Sequence, residues 1–341
     1  MTATRQRAIT SVSELVSAGL ADAAQRPALE QVAQDFRILI TPEMQQASPG
    51  ISAQFVPDAR EQETRPEELR DPIGDQAHSP VPGLTHRYPD RVILHVTQSC
   101  DVYCRFCFRR EVVGAAGPLA QDALAGALDY IARTPAIREV ILTGGDPMTL
   151  SPRRLGPILD RIDGMDHVEV IRFHSRVPVV APARVASLLP LLKRRAAVFV
   201  VIHSNHPDEL TDQACQAIRA LADEGVPLLS QSVLLRGVND DAETLSDLFR
   251  RLTALRVTPY YLHHCDLARG TSHFRTTIDH GLQIMDALRG HISGVALPSY
   301  MLDLPGGFGK VALESRNAVR VGAGQWRLRD WRGQWHDYRD I

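Results

Sequence analysis

The sequence predicts an α/β protein built around a partial (βα)6 TIM-like barrel, and three observations support this fold class. Short β-rich runs recur at 92–96, 140–142, 168–172, 198–202, 228–234 and 259–262. Stretches with apolar residues at i, i+3 and i+4 separate them, at 119–134, 152–162, 181–193, 211–224 and 242–255. Polar residues follow almost every predicted strand, as expected where parallel strands end at an active face. A doubly wound sheet is the alternative, because sequence alone does not show closure.

Three regions are predicted along the chain. Residues 1–80 form an N-terminal accessory region, with helical spacing at 12–24 and 30–36. The stretch from 45 to 82 is rich in Pro, Gln, Asp and Glu, and we expect it to be an extended surface arm. Residues 81–295 hold the barrel, and residues 296–341 form a short cofactor-binding segment that closes with a small hairpin, 318–321 and 325–328.

Composition narrows the class of partner and the compartment. The net charge of −2 over 341 residues argues against a surface that binds nucleic acid. No run of about eighteen apolar residues suggests a membrane span, and the N-terminus lacks the apolar segment of a secretory signal. Three of the 5 cysteines crowd into one short loop, which favours metal ligands in a reducing compartment over disulfides. We therefore expect the cytoplasm.

Cys100, Cys104 and Cys107 follow the first predicted strand directly. Three thiolates on one loop can bind three irons of a [4Fe–4S] cluster and leave the fourth iron open. A structural zinc site would need four ligands, usually from two cysteine pairs, and the sequence has no second Cys-x-x-Cys. Cys215 and Cys265 are expected to be ordinary helix and loop residues. The spacing therefore predicts an iron–sulfur cluster.

Further polar residues lie where the predicted strands end. Gly144, Gly145 and Asp146 follow the second strand, and this pair of glycines would let the backbone approach a ligand closely. A plain tight turn is the alternative for this Gly-Gly-Asp-Pro stretch. His203 follows the fourth strand and Gln231 lies within the fifth.

Lysine is scarce, which draws attention to the C-terminal segment. The chain has only Lys193 and Lys310. Lys193 belongs to a Lys-Arg-Arg run at the end of a helical stretch and is expected to be solvated. Lys310 ends Pro-Gly-Gly-Phe-Gly-Lys, which lacks the spacing of a phosphate-binding loop. Its amine could form a Schiff base with an aldehyde cofactor such as pyridoxal phosphate, the alternative being an ordinary surface lysine.

Charged residues bracket these features. Guanidinium groups suit phosphate and carboxylate ligands, and carboxylates in the active-face loops could together hold a cation. The arginines are Arg87 and Arg91 before the cluster strand and Arg109 and Arg110 after the cysteines, and the carboxylates are Asp266 and Asp303.

With these residues identified, the chain resembles radical S-adenosylmethionine enzymes, and within them the lysine 2,3-aminomutase family. The resemblance runs from about residue 84 to near the C-terminus. It rests on Cys100-x3-Cys104-x2-Cys107, Gly144-Gly-Asp-Pro, His203-x2-His-Pro, Gln231-Ser-Val-Leu-Leu-Arg and Pro305-Gly-Gly-x-Gly-Lys.

The resemblance implies a role for each matching residue. Cys100, Cys104 and Cys107 would ligate the [4Fe–4S] cluster, whose open iron binds S-adenosylmethionine. Lys310 would bind pyridoxal 5′-phosphate, and Arg109 would bind the α-carboxylate of the amino acid. Arg87 and Arg91 would help to position pyridoxal phosphate, and Asp266 and Asp303 would contact the ε-ammonium of lysine. The turn at Gly144, Gly145 and Asp146 would contact the amino group of S-adenosylmethionine. His203 and Gln231 would lie near its adenosine.

The implied reaction is the radical interconversion of L-lysine and β-lysine by migration of the amino group. Its implied partners are a reductant such as flavodoxin or ferredoxin and a second copy of the chain in a homo-oligomer. Val81-Pro-Gly-Leu also resembles the branch that supplies β-lysine for modifying elongation factor P, with the opposite product stereochemistry. Arginine remains open as a substrate, whereas two distal carboxylates would repel glutamate. A non-radical electron-transfer protein is the alternative of a different class.

Overall fold

The computed structural model describes residues 7–45 and 48–340, and a nine-stranded sheet forms its centre. The strand order in the sheet follows the chain from β1 to β9. A sequential order excludes the doubly wound alternative, in which the order reverses at the middle of the sheet. The parallel strands are β2 (Arg91–Thr97), β3 (Glu139–Gly144), β4 (Val170–Ser175), β5 (Ala197–His203), β6 (Leu228–Leu234), β7 (Val257–His264) and β8 (Ser299–Leu304), flanked by the antiparallel edges β1 (Leu84–Tyr88) and β9 (Gly309–Ala312).

Helices connect these strands, and others precede the barrel. The N-terminal region contributes α1 (Val12–Ser17), α2 (Arg26–Asp35) and α3 (Pro49–Phe55). The barrel helices are α4 (Gln121–Ala132), α5 (Pro152–Asp163), α6 (Val177–Val180), α7 (Val185–Leu188), α8 (Asp212–Asp223), α9 (Ala242–Ala254) and α10 (Ile278–Leu288). None of the helices in the described part of the chain is long and apolar enough to cross a membrane.

The amphipathic pattern of α9 shows how these helices form and pack. Asp241 caps the helix, since its carboxylate accepts the backbone N–H of Thr244 at 2.8 Å. Leu245, Leu248 and Leu252 recur on one face and are fully buried. This face packs against β7. The spacing of apolar residues in the sequence therefore becomes the wall of the barrel.

The predicted fold class and the six predicted strands are confirmed. One strand was not predicted, and one predicted helix is wrong. β8 is a seventh parallel strand in the described chain and lies within the segment predicted to bind a cofactor. The helix predicted at 181–193 is wrong as one continuous α-helix. The α-helical bonding ends just before Pro190, which has no N–H to donate to the carbonyl of residue 186. The stretch instead forms a single α-helical turn, α7, between two 3-10 turns, Pro182–Arg184 and Leu189–Leu192.

The stretch at 45–82 differs from the expected surface arm. Phe55, Glu61 and Ile73 lie 1%, 1% and 7% exposed. The ring of His78 bonds the carbonyl oxygen of Gly307 at 3.0 Å, next to the β8–β9 turn. This stretch therefore packs beside β9, and Glu61 is buried because it is paired with arginines of the barrel.

The two edge strands of the sheet approach each other through side chains. The Tyr88 hydroxyl of β1 accepts the backbone N–H of Lys310 on β9 at 2.9 Å. The C-terminal hairpin is confirmed and gains a third strand, so that β10 (Ala318–Gly322), β11 (Gln325–Arg329) and β12 (Trp335–Arg339) form a separate sheet.

Two glycines inside helices give a test of how the helices pack against the sheet. A Cβ at Gly281 in α10 would collide with the ring of Tyr300, which is fully buried, whereas a Cβ at Gly126 in α4 meets nothing within 4 Å. We expect Gly281→Ala to lower the free energy of unfolding by about 1–3 kcal/mol. Gly126→Ala should raise it by about 0.5–1 kcal/mol, since alanine favours the helix.

Urea denaturation of both variants measures these changes in the free energy of unfolding. Equal effects of the two substitutions would contradict the described contact between α10 and Tyr300.

Candidate active site

The three-cysteine loop leaves β2 at the carboxyl edge of the parallel strands. The backbone N–H of Cys107 bonds the carbonyl of Cys104 at 3.1 Å, which closes a tight turn. Burial raises the pKa of the Cys100 thiol well above its usual range, and Asp146, Cys107 and Cys104 add to this shift. The three sulfurs therefore lie within electrostatic range of one another.

This arrangement fits a cluster better than a single ion. Within residues 7–45 and 48–340, no three His, Cys, Asp or Glu side chains converge on a point where one metal ion could bind. A [4Fe–4S] cluster has a different requirement, because each cysteine binds a different iron and the sulfurs stay apart. Cys215 and Cys265 are free cysteines outside this loop, as expected.

The N-terminal region holds the cluster loop through backbone hydrogen bonds. The N–H of Tyr103 donates to the carbonyl of Leu39 at 2.9 Å, and the N–H of Arg105 donates to the carbonyl of Gln54 at 2.8 Å. Both donors lie between the cysteines, so the loop conformation depends on residues more than forty positions upstream.

Glu61 adds a buried ion pair to this contact. Its carboxylate oxygens accept Arg105 Nη2 at 2.6 Å and Nε at 2.9 Å, and it also pairs with Arg110. The side chains of Arg105 and Glu61 are 2% and 0% exposed. Arg110, one of the arginines expected near an anionic ligand, is thus bound to the protein's own carboxylate.

The glycines of the Gly144-Gly145 turn face the cluster loop. Gly144 has a φ of 118°, and a Cβ there would collide with the carbonyl oxygen of Thr97. A Cβ at Gly145 would collide with the carbonyl oxygen of Ser99. The structural reason for both glycines is therefore close contact between two backbone segments, which differs from the contact with a ligand that the sequence suggested.

The Asp146 carboxylate is hydrogen-bonded mainly by residues that end or follow β4, the neighbouring strand. One oxygen accepts Ser175 Oγ at 2.8 Å and the N–H of Met148 at 3.0 Å; the other accepts the N–H groups of Arg176 at 2.6 Å and Val177 at 3.2 Å. These four bonds use the acceptor capacity of a carboxylate. Burial nevertheless raises its pKa to about 6. Asp146 thus positions the start of α6. The N–H groups of Gly145 and Asp146 donate to the carbonyls of Thr97 and Ser99, so a ligand would meet the carbonyl oxygens of the turn.

The interior of the barrel presents polar atoms without protein partners. His203 and Gln231 are neighbours across β5 and β6. The buried atoms that have no hydrogen-bond partner among the described residues include five at this place, and they are His174 Nε2, His203 Nε2, Gln231 Oε1, His263 Nε2 and Asp303 Oδ1. Burial lowers the pKa of His203 to about 3, so its ring is neutral. Such orphaned groups fit a polar ligand that supplies the missing bonds.

Lys310 lies beside Asp303 at the other side of this interior. The two residues face each other across β8 and β9, and Lys310 Nζ contacts Asp303 Oδ2 at 2.5 Å. His263 Nδ1 is 3.4 Å from the same oxygen. Burial alone would raise the pKa of Asp303, but Lys310 and His263 lower it. Lys193, in contrast, is 70% exposed and pairs with Glu224, as expected of a solvated lysine.

Asp266 belongs to the same group of charges. Burial and the neighbouring Asp303 carboxylate raise the pKa of Asp266 to about 8, and Lys310 and Arg109 act in the opposite direction. The structure therefore brings Asp266, Asp303, Lys310 and Arg109 into one electrostatic cluster, although they lie far apart in the sequence.

Arg87 and Arg109 share a carboxylate that sequence reasoning missed. Asp75 Oδ2 accepts Arg109 Nη2 at 2.6 Å and Nε at 3.1 Å, and Asp75 Oδ1 accepts Arg87 Nη2 at 3.1 Å. One edge of the Arg109 guanidinium is thus used, and its Nη1 makes only a 3.4 Å contact, with the Gly144 carbonyl. Arg91 instead pairs with Asp90 at 2.7 Å, and its guanidinium lies 3.9 Å from the Tyr88 ring centroid.

Sequence reasoning missed the carboxylates and rings that hold the site residues. Asp75 and Glu61 lie in a stretch whose composition resembles a linker, so no local pattern distinguishes them. Tyr88 stands in the Arg-Tyr-Pro-Asp-Arg run beside two predicted site residues, and that position was an available signal. Arg176 follows β4 directly and His263 lies in β7. Polar residues are expected at the ends of the predicted strands, but the sequence assigns no role to these two.

A barrel with three cysteines at its active edge and a polar interior defines a radical S-adenosylmethionine enzyme. The family model of the radical SAM superfamily matches residues 94–249, and a model described as lysine-2,3-aminomutase matches residues 285–340. The chain is 42% identical over 285 residues to the L-lysine 2,3-aminomutase of Fusobacterium nucleatum, covering 83% of this chain and 67% of that protein.

Two further relatives are similar to this chain over most of its length. The L-lysine 2,3-aminomutase of Clostridium subterminale is 41% identical over 83% of this chain and 68% of its own length. The glutamate 2,3-aminomutase of Clostridioides difficile is 38% identical over 82% of this chain and 66% of its own length. The chain belongs to the lysine 2,3-aminomutase family, and it is an enzyme of the isomerase class. The superfamily uses a [4Fe–4S] cluster and S-adenosylmethionine with a reductant, and this family adds pyridoxal phosphate.

The buried pair of Glu61 with Arg105 and Arg110 gives a test of the cluster loop. Glu61→Gln leaves two buried guanidiniums short of a counter-ion, so we expect the free energy of unfolding to fall by roughly 3–5 kcal/mol. Iron content after anaerobic reconstitution should fall with it, because the loop loses its partner. Denaturation and iron analysis measure both effects.

The exposed pair of Arg138 and Glu169 provides the matched control, with side chains 56% and 63% exposed. Glu169→Gln should change the free energy of unfolding by at most about 1 kcal/mol and leave iron content unchanged. A Glu61→Gln protein with normal iron content would exclude this role of the ion pair.

Proposed function

We propose that the protein is a pyridoxal phosphate-dependent L-lysine 2,3-aminomutase, which interconverts L-lysine and β-lysine. The observation that carries this proposal is the charge cluster of Asp266, Asp303, Lys310 and Arg109. Two carboxylates complement an ammonium group, and a guanidinium complements a carboxylate. Lysine carries both groups at opposite ends. The naming of several relatives as L-lysine 2,3-aminomutases supports the same substrate.

In this proposal the chain's residues divide into three sets. Cys100, Cys104 and Cys107 hold the cluster; the turn at Gly144, Gly145 and Asp146, with His203 and Gln231, receives S-adenosylmethionine; and Lys310, Arg87 and Arg91 hold pyridoxal phosphate. When bound, the cluster and S-adenosylmethionine supply the radical that abstracts a hydrogen atom, and pyridoxal phosphate supplies the carbonyl that carries the migrating nitrogen.

Asp303 has two partners in this scheme. Its carboxylate holds the Lys310 ammonium at 2.5 Å when that amine is free. If Lys310 held pyridoxal phosphate, its amine would no longer be a free ammonium, and the Asp303 carboxylate could accept the ε-ammonium of the substrate. Arg109 would bind the α-carboxylate through the guanidinium edge that Asp75 leaves open. The buried lining of the barrel would exclude water from the reactive carbon atoms.

The proposal also covers the compartment, the partners and the regions of the chain. We infer a cytoplasmic enzyme, supported by five free cysteines, with flavodoxin or ferredoxin as reductant and a homo-oligomeric assembly. We also infer three regions, 1–80, 81–295 and 296–341, of which the second binds the cluster and the third carries Lys310. The reaction is the same if β-lysine serves elongation factor P, but the product has the opposite stereochemistry.

The substrate is tested by offering lysine, arginine and glutamate to the reconstituted enzyme with S-adenosylmethionine and dithionite. Separation of the β-amino products on a chiral column identifies both the substrate and the stereochemistry. We expect turnover of lysine and little turnover of glutamate, because the distal carboxylates repel its side chain. Turnover of glutamate without lysine would overturn the assignment of Asp266 and Asp303, and turnover of arginine alone would replace lysine as substrate.

The cofactor lysine has a direct spectroscopic test. Lys310→Ala should abolish the visible absorbance that a Schiff base with pyridoxal phosphate gives, because the only other lysine lies on the surface. Lys193→Ala is the matched control and should leave the band unchanged. Loss of the band in Lys193→Ala, with retention in Lys310→Ala, would reverse the assignment.

The raised pKa of Asp266 predicts a pH dependence of lysine binding. At a pKa of about 8 the carboxyl is protonated at neutral pH in the ligand-free protein, and it must ionise to hold an ammonium. The dissociation constant for lysine should therefore fall as pH rises from about 6 to 8, by at most about tenfold per pH unit.

Calorimetry with lysine and with norleucine, which lacks the ε-ammonium, measures this effect. Norleucine binding should show no such dependence, and Asp266→Asn should remove it for lysine. A dissociation constant for lysine that stays constant over this range would contradict the role of Asp266.

A further inference from the structure

Arg176 makes a contact with the cluster loop that no proposed role explains. The residue follows β4 directly, and its Nη1 donates a hydrogen bond to the sulfur of Cys104 at 2.9 Å. The side chain is only 8% exposed. A guanidinium therefore lies against one of the three expected ligand sulfurs, on the side of the loop away from solvent.

Two side chains fix the orientation of this guanidinium. Nη2 of Arg176 donates to Gln54 Oε1 and to Glu209 Oε2, each at 2.6 Å. The rings of Phe55 and Phe106 lie 4.8 and 5.5 Å from its carbon Cζ, centroid to atom. Gln54 and Phe55 belong to α3, so the N-terminal region forms part of the setting of this arginine.

Glu209 is the carboxylate that balances the charge. Its side chain is 0% exposed. Its second oxygen, Oε1, accepts Gln54 Nε2 at 2.9 Å, the N–H of Asn205 at 2.8 Å and the N–H of His206 at 2.9 Å. The Arg176 guanidinium thus contacts the Cys104 sulfur through one nitrogen and the Glu209 carboxylate through another.

Reduction of an iron–sulfur cluster adds one negative charge to it. A cation that donates a hydrogen bond to a ligand sulfur stabilises the reduced state more than the oxidised state, and so raises the reduction potential. A carboxylate at greater distance acts in the opposite direction, and a low-dielectric interior strengthens both effects. Electron transfer to the cluster starts the reaction, so the potential decides which reductant can drive it.

We propose that Arg176 tunes the reduction potential of the cluster through the Cys104 sulfur, and that Glu209 limits this effect. Arg176 is a positioning and tuning residue, since it acts on the cluster only through its ligand. The inference depends on the iron–sulfur cluster of the family and is independent of which amino acid is the substrate. Its test therefore contains no amino acid.

The experiment measures the midpoint potential of the reconstituted 341-residue chain by redox titration followed by electron paramagnetic resonance. Iron and sulfide content is determined first, so that only cluster-loaded protein is compared. Arg176→Gln should shift the midpoint to a more negative potential, and Arg176→Lys, which keeps the charge, should lie closer to the wild type. Glu209→Gln should shift the midpoint in the opposite direction, to a more positive potential.

Arg195→Gln is the matched control for loss of one positive charge. Arg195 bonds the carbonyls of Met165 and Val168 at 3.0 and 2.9 Å and precedes β5, at the amino edge of the strands. Its substitution should leave the midpoint unchanged. These signs distinguish tuning from a structural role, because general loosening of the loop would not move the potentials of Arg176→Gln and Glu209→Gln in opposite directions.

Two results would overturn the proposal. One is an unchanged midpoint in cluster-loaded Arg176→Gln. The other is a Glu209→Gln midpoint that is unchanged or more negative, and this second result decides the question if Arg176→Gln binds no cluster.

Discussion

The pairing of buried arginines with carboxylates from distant parts of the chain is the interaction on which this site depends. Arg105 pairs with Glu61, Arg109 with Asp75 and Arg176 with Glu209, each at 2.6 Å. A guanidinium in a low-dielectric interior is strongly destabilising without a counter-ion. Each arginine therefore ties a loop at the active edge of the barrel to another segment, and these loops cannot take independent positions.

This constraint gives the N-terminal region a structural role at the site. Two of the three carboxylates, Glu61 and Asp75, precede the barrel in the chain, as does Gln54, which bonds Arg176. Their partners lie in or beside the cluster loop. A stretch whose composition resembles a linker thus supplies carboxylates that neutralise buried arginines beside the cluster loop.

The barrel was predictable because its information is local and periodic. Apolar spacing within one helix or strand sets which face is buried, so α9 and the six expected strands could be identified from short stretches. The helix that was wrongly predicted has a local cause, whereas the strand that was not predicted has no local signal. Pro190 interrupted an expected helix because it has no N–H to donate. β8, in contrast, is a strand because β7 and β9 lie on either side of it.

The sequence by itself determined which groups are available for the chemistry, because three closely spaced cysteines and one of only two lysines can be recognised from residue type and spacing alone. Tertiary structure decided their surroundings. It placed Lys310 against Asp303, occupied Asp146 with four hydrogen bonds, and turned a guanidinium toward the Cys104 sulfur. These contacts join residues on different elements, and no spacing along the chain encodes which carboxylate will meet which cation once the barrel has formed.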